Sequence, residues 1–339
     1  MMSEATNGRA TIFEVAETAG VSITTVSHVF SGKRRVNEQT RRRVIEVADQ
    51  LAYRPRATAK ALATGRTNTL ALQISATGQD LVLNPFFSAL LSELSLAAIE
   101  RDFSFVYVPP AEAGRAFVEP LIDGHRIDGA LLVDPVAEDP FVKALVRFDV
   151  PFVSIGRIVG ASSNHWVDND HNSACARVLA HLAGKGYQRP CLITVPMDVS
   201  YVVDYTDGFR AALPVAEDSI LVAADLSERS AHVVASQALQ RTNRPDAFFC
   251  IHDVLAIGAL HASLELNFQV PEDVGVVGVT DSTLAMRTNP PLSSVRVFPE
   301  RAADSALELL DGLLRGVEVE APVILPTRLI TRRSSARTA

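Results

Sequence analysis

Apolar residues near the start of the chain recur at helical spacing and are interrupted at Gly20. Thr11 followed by Glu14 has the pattern of a capping box, which predicts a short helix beginning after Thr11. Ser22 is a favourable N-cap for a second helix, predicted from Ile23 to about Phe30. The apolar residues expected to pack across the turn are Val15, Ala19, Val21, Val26 and Val29. Two short helices joined by a glycine-containing turn are typical of a helix-turn-helix, although a helical corner inside another domain has the same local pattern.

A third helix is predicted from Glu38 to about Ala52, with Asn37 as its N-cap. Its buried stripe has helical spacing and consists of Val44, Val47, Ala48 and Leu51. A run of three arginines, Arg41 to Arg43, lies on the opposite side. Such a run is usually a solvated surface, but beside a helix-turn-helix it favours contact with the phosphates of a nucleic acid.

Beyond residue 66 the pattern changes to short apolar runs separated by helical stretches. Strands are predicted at Leu70–Ser75, Phe103–Pro109, Gly129–Asp134, Pro151–Ile155, Pro190–Thr194, Ile220–Ala223, Ala247–Cys250 and Val274–Val279. Strands that alternate with helices form parallel sheets, and two successive sets of four indicate two doubly wound subdomains. The predicted fold class is therefore α/β, with an all-α helix-turn-helix headpiece at the N-terminal end.

Charge divides the chain at the same place. Residues 1–66 carry eleven Lys or Arg and six Asp or Glu, a net charge of +5, so the rest carries −12 for a total of −7. A small basic head is suited to a polyanion, and an acidic body is suited to a different task.

Composition narrows the class of protein further. The chain has 339 residues, of which 47% are hydrophobic and 21% charged, as in a globular protein of more than one domain. Its three cysteines are far apart, which argues against a disulfide framework and fits a reducing compartment. The first residues lack the apolar core of a signal peptide, and the longest uncharged runs are too short to span a membrane. We therefore expect a cytoplasmic protein and not a secreted solute receptor.

Motifs of enzymes are absent from the sequence. It contains no nucleophile elbow, P-loop, HExxH zinc motif or dinucleotide-binding glycine motif after a strand. His165 and His171 flank Asp168, but no pair of histidines has metal-ligand spacing on one predicted helix. We expect no catalytic residues, no cofactor and no metal. The remaining alternative of a different class is a cytosolic α/β enzyme acting on a sugar or nucleoside, fused to a DNA-binding head.

The headpiece carries a long, ordered motif: Ile12, Val15, Ala16, Ala19, Gly20, Val21, Ser22, Thr25, Val26, Ser27, Gly32, Val36, Thr40, Arg41, Tyr53, Arg54 and Pro55. With these residues the chain resembles the LacI/GalR family of bacterial transcriptional regulators, and residues 21–28 are similar to those of the family's purine repressors. The resemblance continues through nearly all of the chain, including Pro271 to Val274 and Pro290 to Leu292.

The resemblance implies that the second helix lies in the major groove of DNA. Its base-reading residues would be Ile23, Thr24 and His28. An isoleucine can pack on a thymine methyl, a threonine can donate or accept, and a histidine can donate to a purine N7. The residues implied to contact the DNA backbone are Ser22, Thr25, Ser27, Asn37 and Arg41.

Residues 57–66 are implied to form a hinge helix that folds on DNA. Ala59, Lys60 and Leu62 would enter the minor groove, with Leu62 inserted into a central base step. The alternative is a plain linker with one incidental leucine. Arg56 replaces an asparagine that is common in the family, which puts the contact at that position in doubt.

The resemblance also implies a domain organisation. The headpiece would span residues 9–56, and an effector-binding and dimerisation domain of periplasmic-binding-protein-like architecture would span 67–332. Its first subdomain would comprise about 67–165 and 297–322, and its second about 166–296 and 323–332. We expect residues 333–339 to form a disordered tail.

Ligands of open α/β sheets bind at the carboxyl ends of the strands. The candidate effector-binding residues are Phe86, Phe87, Asp134, Arg157, Tyr205, His252, Asp253, Thr280 and Asp281. Several depart from the family pattern, since Tyr205 stands where an arginine is usual and His252 where an amide is usual. Arg157 would balance an anionic ligand, whereas Phe86, Tyr205 and Asp281 suit a sugar ring. A purely structural role for any one of them is an equal alternative.

These features together predict a DNA-binding transcriptional regulator. It would act as a repressor that binds a palindromic operator as a homodimer, because one helix-turn-helix reads half a site. Its DNA affinity would be controlled by a small-molecule effector, a sugar or related metabolite, bound between the two α/β subdomains. The sequence leaves open the effector, the operator, whether the effector releases or tightens DNA binding, and whether dimers pair into tetramers.

Overall fold

The computed structural model describes residues 10–31, 34–53, 66–75, 85–109, 118–161, 165–213 and 217–337. The chain divides into two compact units, each described below by itself. The first unit ends at Thr69 and also includes residues 124–128, and the second comprises the rest of the chain.

Within its described residues, the first unit contains the three predicted helices: α1 (Ile12–Ala19), α2 (Ile23–Ser31) and α3 (Glu38–Gln50). Thr11 and Glu14 form the expected capping box, and Gly20 ends α1 in the left-handed conformation with φ of 63°. Such a φ favours glycine because a Cβ is strained there. The helices share one small core, which consists of Val15, Ala16, Ala19, Val26, Val44, Val47, Ala48 and Tyr53.

The second unit is built on two six-stranded sheets within the described residues. The first sheet has the order β11-β5-β4-β3-β1-β2. Its strands are β1 (Thr69–Ile74), β2 (Ser104–Val108), β3 (Gly129–Val133), β4 (Phe152–Ile155), β5 (Trp166–Asn169) and β11 (Val323–Leu325). β1, β3, β4, β5 and β11 run parallel. The helices of this subdomain include α4 (Pro85–Glu100), α5 (Pro140–Arg147) and α10 (Pro299–Arg315), with a further helical segment at 118–123.

The second sheet has the order β12-β10-β9-β8-β6-β7. Its strands are β6 (Pro190–Thr194), β7 (Ile220–Val222), β8 (Ala247–Cys250), β9 (Gly275–Thr280), β10 (Ser293–Arg296) and β12 (Arg328–Ile330). Only β12 runs antiparallel to its neighbour among these strands. The helices of this subdomain are α6 (His171–Gly184), α7 (Ser200–Ala212), α8 (Glu228–Leu239) and α9 (Asp253–Glu265). The α/β class and the all-α headpiece are confirmed.

The predicted border between the subdomains needs two corrections. β5 belongs to the first sheet, where Val167 lies opposite Val323, although the prediction began the second subdomain at residue 166. β11 likewise adds to the first sheet, and only β12 returns to the second. The border is decided by the pairing of β5 with β11. Both strands are short, so their sequences do not indicate which strand each one pairs with.

The predicted disordered tail is wrong over residues 333–337. Arg333–Ser335 forms a 3-10 turn in which Ser334 and Ser335 are fully buried. The Ser334 hydroxyl donates to the Val276 carbonyl at 2.6 Å, and the Ser335 hydroxyl bonds His181 Nε2 at 2.8 Å. Polar residues alone predict a solvated tail, but here their hydrogen bonds are made to the second sheet and α6.

Candidate nucleic-acid interface and ligand cleft

The first turn of α2 presents a surface suited to base edges. Ile23 and Thr24 are exposed, and Ile23 keeps 40% of its surface in water, while Val26, three residues after Ile23, is fully buried. Two of the predicted base-reading side chains therefore lie on the outer surface. His28, the third, is half-buried one turn further along.

The predicted backbone-contacting residues cluster at the starts of α2 and α3. The Ser22 hydroxyl accepts the Thr25 N–H at 3.1 Å and shares a 2.8 Å hydrogen bond with the Thr25 hydroxyl, so Ser22 caps α2. Asn37 caps α3, since its side-chain oxygen accepts the Gln39 N–H at 2.8 Å and its amide NH₂ remains a donor. Arg41 is exposed, and Ser27 is half-buried. The N-terminus of a helix carries a partial positive charge and free N–H groups, so together with short polar side chains it is suited to binding phosphate.

The predicted minor-groove residues Ala59, Lys60 and Leu62 lie outside the described residues, as do Arg56 and residues 57–65. Their roles stay predictions.

The second unit contains a cleft between its two subdomains, at the carboxyl ends of the strands. It is lined by Phe86, Phe87, Val133, Asp134, Ile155, Gly156, Asp168, Asn169, His171, Tyr201, Tyr205, Ile251, His252, Val279, Thr280 and Val297. Six of the nine predicted effector residues are among them. Phe86 packs against the apolar cores of both subdomains and contacts Phe87 edge to face, with the ring centroids 5.7 Å apart.

One wall of the cleft carries two carboxylates, Asp134 and Asp168, whose pKa values are shifted in opposite directions. Burial, and then the charge of Asp168, raises the pKa of Asp134 to about 7. Burial also raises the pKa of Asp168, but the hydrogen bond and charge of His171, with further hydrogen bonds, outweigh this and place the pKa below its ordinary value. Asp168 is therefore the ionised acceptor, and Asp134 is the group whose charge changes near neutral pH.

His171 is oriented by the ionised Asp168. Its Nε2 lies 2.8 Å from Asp168 Oδ1, and because a carboxylate can only accept, Nε2 carries the hydrogen of this bond. Its Nδ1 is buried without a protein partner, as is the side-chain oxygen of Asn169. The end of β5 and the start of α6 thus offer two polar atoms to the cleft that have no partner among the described residues.

Two more polar atoms are offered by α7 and by the loop after β8. Tyr205 is fully buried, its hydroxyl has no protein partner, and its ring lies edge to face on His171 with the centroids 5.0 Å apart. Burial lowers the pKa of His252 to about 3, so its ring is neutral. Because His252 Nδ1 accepts the Val254 N–H at 3.3 Å, Nε2 carries the hydrogen, and this donor has no protein partner.

Three predicted effector residues do not line the cleft. Asp253 is fully buried and accepts hydrogen bonds from the Ser294 hydroxyl at 2.6 Å, the Ser282 N–H at 2.7 Å and the Thr280 hydroxyl at 3.0 Å. The hydrogen bonds of Asp253 that the structure shows lie within the fold, and one of them is made by Thr280, whose φ is the strained 107°.

Arg157 and Asp281 each form an ion pair with a residue that is distant in the sequence. The Arg157 guanidinium bonds Asp204 at 2.6 Å, and Asp281 accepts from Arg332 at 2.6 Å in an ion pair that is largely buried. The charge of Arg157 is therefore balanced by Asp204 in this structure, and its role toward an anionic ligand stays a prediction.

The sequence prediction missed three polar residues of the cleft, namely Asp168, Asn169 and His171. A signal existed, because Asp168 and Asn169 end a strand and His171 begins the following helix. The strand itself was not predicted, since it is short and half polar, so these residues were not placed at a carboxyl end.

The chain matches two protein families. Residues 11–56 match "Bacterial regulatory proteins, lacI family", and residues 179–335 match "Periplasmic binding protein-like domain". The HTH-type transcriptional regulator CelR of Thermobifida fusca is 32% identical, covering 96% of this chain and 98% of the relative. The ribose operon repressor of Escherichia coli K12 is 28% identical, covering 96% of this chain and all of the relative.

Solved structures agree with these relatives. A structure described as a transcriptional regulator CelR–cellobiose complex is 31% identical, covers 96% of this chain and 100% of that chain, and has a TM-score of 0.72. The lac repressor dimer bound to operator and the anti-inducer ONPF shares the fold, with a TM-score of 0.79 at 22% identity over 96% of this chain and 99% of that chain.

This chain belongs to the lacI family of bacterial regulatory proteins. It is a DNA-binding transcriptional regulator and not an enzyme, and its family places it in the cytoplasm, as predicted. None of the described helices combines the length and apolarity needed to cross a membrane.

Proposed function

We propose that this chain is a repressor that binds a palindromic operator as a homodimer and releases or tightens its hold when an uncharged sugar occupies the cleft. The observation that carries the effector class is the set of four buried polar atoms without partners among the described residues, which belong to Asn169, His171, Tyr205 and His252. Buried polar groups are normally hydrogen-bonded, so four in one cleft indicate a polar ligand.

The chemistry of these atoms suits hydroxyl groups. His252 Nε2 donates, Asn169 Oδ1 accepts, His171 Nδ1 donates in the charged ring and accepts in the neutral ring, and the Tyr205 hydroxyl can do either. Aromatic rings line the same cleft and can pack on the apolar face of a sugar. Cellobiose is bound in the structure of the CelR relative, which supports the same class of ligand here.

Charge argues against an anionic effector. In the part of the chain that the structure describes, no Lys or Arg lines the cleft, whereas Asp134 and Asp168 do. A carboxylate or phosphate would therefore be buried beside like charge without a counter-ion, which is costly.

The DNA function is supported by the headpiece surface and by the family. Ile23, Thr24 and His28 are proposed to read bases, and Ser22, Thr25, Ser27, Asn37 and Arg41 to hold the backbone. Leu62, with Ala59 and Lys60, is proposed to enter the minor groove at the centre of the operator. One headpiece reads half a site, so a symmetric site requires two copies of the chain.

The first test is selection from random duplex DNA with the full chain, with and without cellobiose as a probe. We expect a palindrome with two equal arms, and a change in the amount of bound DNA when the matching sugar is added. Sedimentation of the protein on the selected duplex should give two chains per site. Enrichment of an asymmetric single arm, or one chain per duplex, would overturn the dimeric proposal.

The second test separates the effector class. Calorimetric titration with cellobiose, and with a cellobiouronate in which a carboxylate replaces one C6 hydroxymethyl group, compares two ligands that keep both pyranose rings, and a panel of neutral mono- and disaccharides extends the comparison. We expect a neutral sugar to bind and every acid analogue to bind at least tenfold more weakly. Tighter binding of the acid form would contradict the proposed cleft chemistry.

A further inference from the structure

An ion pair joins the two walls of the cleft at its rim. Arg157 follows β4 of the first sheet, and Asp204 lies on α7, whose buried residues belong to the core of the second subdomain. Arg157 Nη2 and Asp204 Oδ1 are 2.6 Å apart. The contact therefore connects two bodies that are otherwise built on separate sheets.

The pair is held more firmly than a typical surface ion pair. The Arg157 side chain is 33% exposed and that of Asp204 is 20% exposed, so water and salt screen their attraction only in part. The backbone of Arg157 is also fixed, because its N–H donates to Asp168 Oδ2 at 3.1 Å. Burial raises the pKa of Asp204, and the charge of Arg157 opposes that rise.

The residue before Arg157 marks a close approach of the two walls. Gly156 has φ of 93°, and a Cβ there would lie 3.0 Å from Asp134 Oδ1 and 3.3 Å from Ser200 Oγ. Asp134 ends a strand of the first sheet, and Ser200 begins α7 of the second subdomain. A side chain at residue 156 would therefore push the two walls apart beside the ion pair.

The ion pair is linked to the ligand-lining residues through one helix. Tyr201 and Tyr205 line the cleft, and Asp204 lies three residues after the first and one before the second on α7. A helix moves as a rigid element, so a displacement that separates Asp204 from Arg157 also carries both tyrosines away from the opposite wall.

We propose that Arg157 and Asp204 form a clasp that holds the two subdomains closed, so that breaking the ion pair opens the cleft without removing any polar atom that lines it. The clasp would set the balance between open and closed forms on which an effector acts, because a ligand shifts such a balance only by its differential affinity for the two forms. This regulatory consequence rests on the proposed function, whereas the clasp itself does not.

The test measures opening directly, without sugar or DNA. Nitroxide labels at Glu138→Cys and Asp198→Cys, both exposed and following β3 and β6 respectively, report the distance across the cleft by pulsed electron paramagnetic resonance. Labelled protein is diluted with unlabelled protein to suppress distances between copies. The native cysteines are buried and less accessible to the label.

We expect R157Q and D204N each to move the distribution to longer distances, with a several-fold larger open population. The double variant R157Q/D204N should open no further than either single variant, because each single change already removes the same contact. The matched control is R101Q, which breaks the Arg101–Asp304 ion pair, also 2.6 Å long but confined to the first subdomain. It should leave the distribution unchanged.

Two outcomes would overturn the proposal: single variants with the wild-type distribution, or shifts that simply add in the double variant. Thermal unfolding followed by circular dichroism verifies that each variant is folded. Because the readout involves neither sugar nor DNA, failure of the clasp and failure of the proposed function are distinguishable.

Discussion

The headpiece and the cleft present their functional residues by different means. All predicted DNA-contacting residues of the described headpiece fall between Ser22 and Arg41, and helix periodicity and capping place them on or near the surface. The cleft instead collects residues from Phe86 to Val297, contributed by two sheets. Local spacing is therefore informative in the first region and a weak guide in the second.

The difference shows that partners within the fold compete with the ligand for the hydrogen bonds of a polar side chain. In the headpiece, Ser22 and Asn37 bond backbone groups two or three residues away, so their partners can be inferred from the sequence. In the second unit, Asp253 bonds Ser294, and Asp281 bonds Arg332, across 41 and 51 residues. Such distant partners decide whether a polar residue serves the ligand or the fold.

The largest effect is expected from Asp253→Ala, which tests whether this residue is structural. The change leaves the buried donors of Thr280, Ser282 and Ser294 without their acceptor, so the free energy of unfolding of the second unit should fall by about 3 kcal/mol. Urea unfolding followed by circular dichroism measures it.

The matched control for Asp253 is Asp207→Ala, which removes a carboxylate from an exposed ion pair with Arg210. It should change the free energy of unfolding by less than about 0.5 kcal/mol. Equal effects of the two substitutions would contradict the structural role of Asp253.

The next effect separates the inside from the outside of α2. Val26→Ala removes two methyl groups from the headpiece core and should lower its stability by about 2 kcal/mol, weakening binding to all DNA sequences alike. Ile23→Ala alters an exposed residue and should leave stability unchanged while relaxing preference at one base position by about 1 kcal/mol. Hydrogen exchange and repeated DNA selection measure the two quantities, and an unchanged preference would remove Ile23 from the base-reading set.

A smaller effect is expected from Tyr205→Phe in the cleft. The hydroxyl has no protein partner, so its loss should not destabilise the free protein, but sugar affinity should fall about tenfold if the hydroxyl binds the ligand. Thermal unfolding and calorimetric titration with the neutral sugar that binds provide the measurements.

Tyr187→Phe is the control for Tyr205. That hydroxyl donates to the Pro271 carbonyl at 2.8 Å, so the same substitution should lower stability by about 1 kcal/mol and leave sugar affinity unchanged. If Tyr205→Phe lowered stability and left sugar affinity unchanged, while Tyr187→Phe weakened sugar binding, the assignment of the Tyr205 hydroxyl to the ligand would be refuted.

The smallest effect concerns pH. Burial and Asp168 raise the pKa of Asp134 from 3.8 to about 7, so the folded state holds this proton more tightly than the unfolded state. The stabilisation is present below pH 3.8 and is lost as the pH rises through about 7. Relative to Asp134→Asn, the wild type should lose about 1 kcal/mol over this range, because Asp134 keeps part of its surface in water. Urea unfolding of the wild type and of Asp134→Asn at several pH values across this range tests the prediction. A difference in the free energy of unfolding that does not change with pH would contradict it.

Much of the fold was predictable because its signals are local. The eight strands predicted from apolar runs are all present, with ends shifted by at most one residue, and the three headpiece helices follow from their caps and stripes. Four strands were missed: β5 and β10 contain polar residues, and β11 and β12 are only three residues long. Ser293 and Ser294 are buried in β10 and bonded to Arg332, Ser334 and Asp253, which no local pattern reveals.

The sequence by itself determined the headpiece helices, the alternation of strands and helices, and the family of regulators to which the chain belongs. Only the tertiary structure decided which strands share a sheet and which polar side chains remain for a ligand. The physical reason is that a helix is stabilised by residues three and four positions apart, whereas a buried carboxylate or guanidinium takes whichever partner the fold brings near. For Arg157 that partner is Asp204, 47 residues along the chain and on the opposite wall of the cleft.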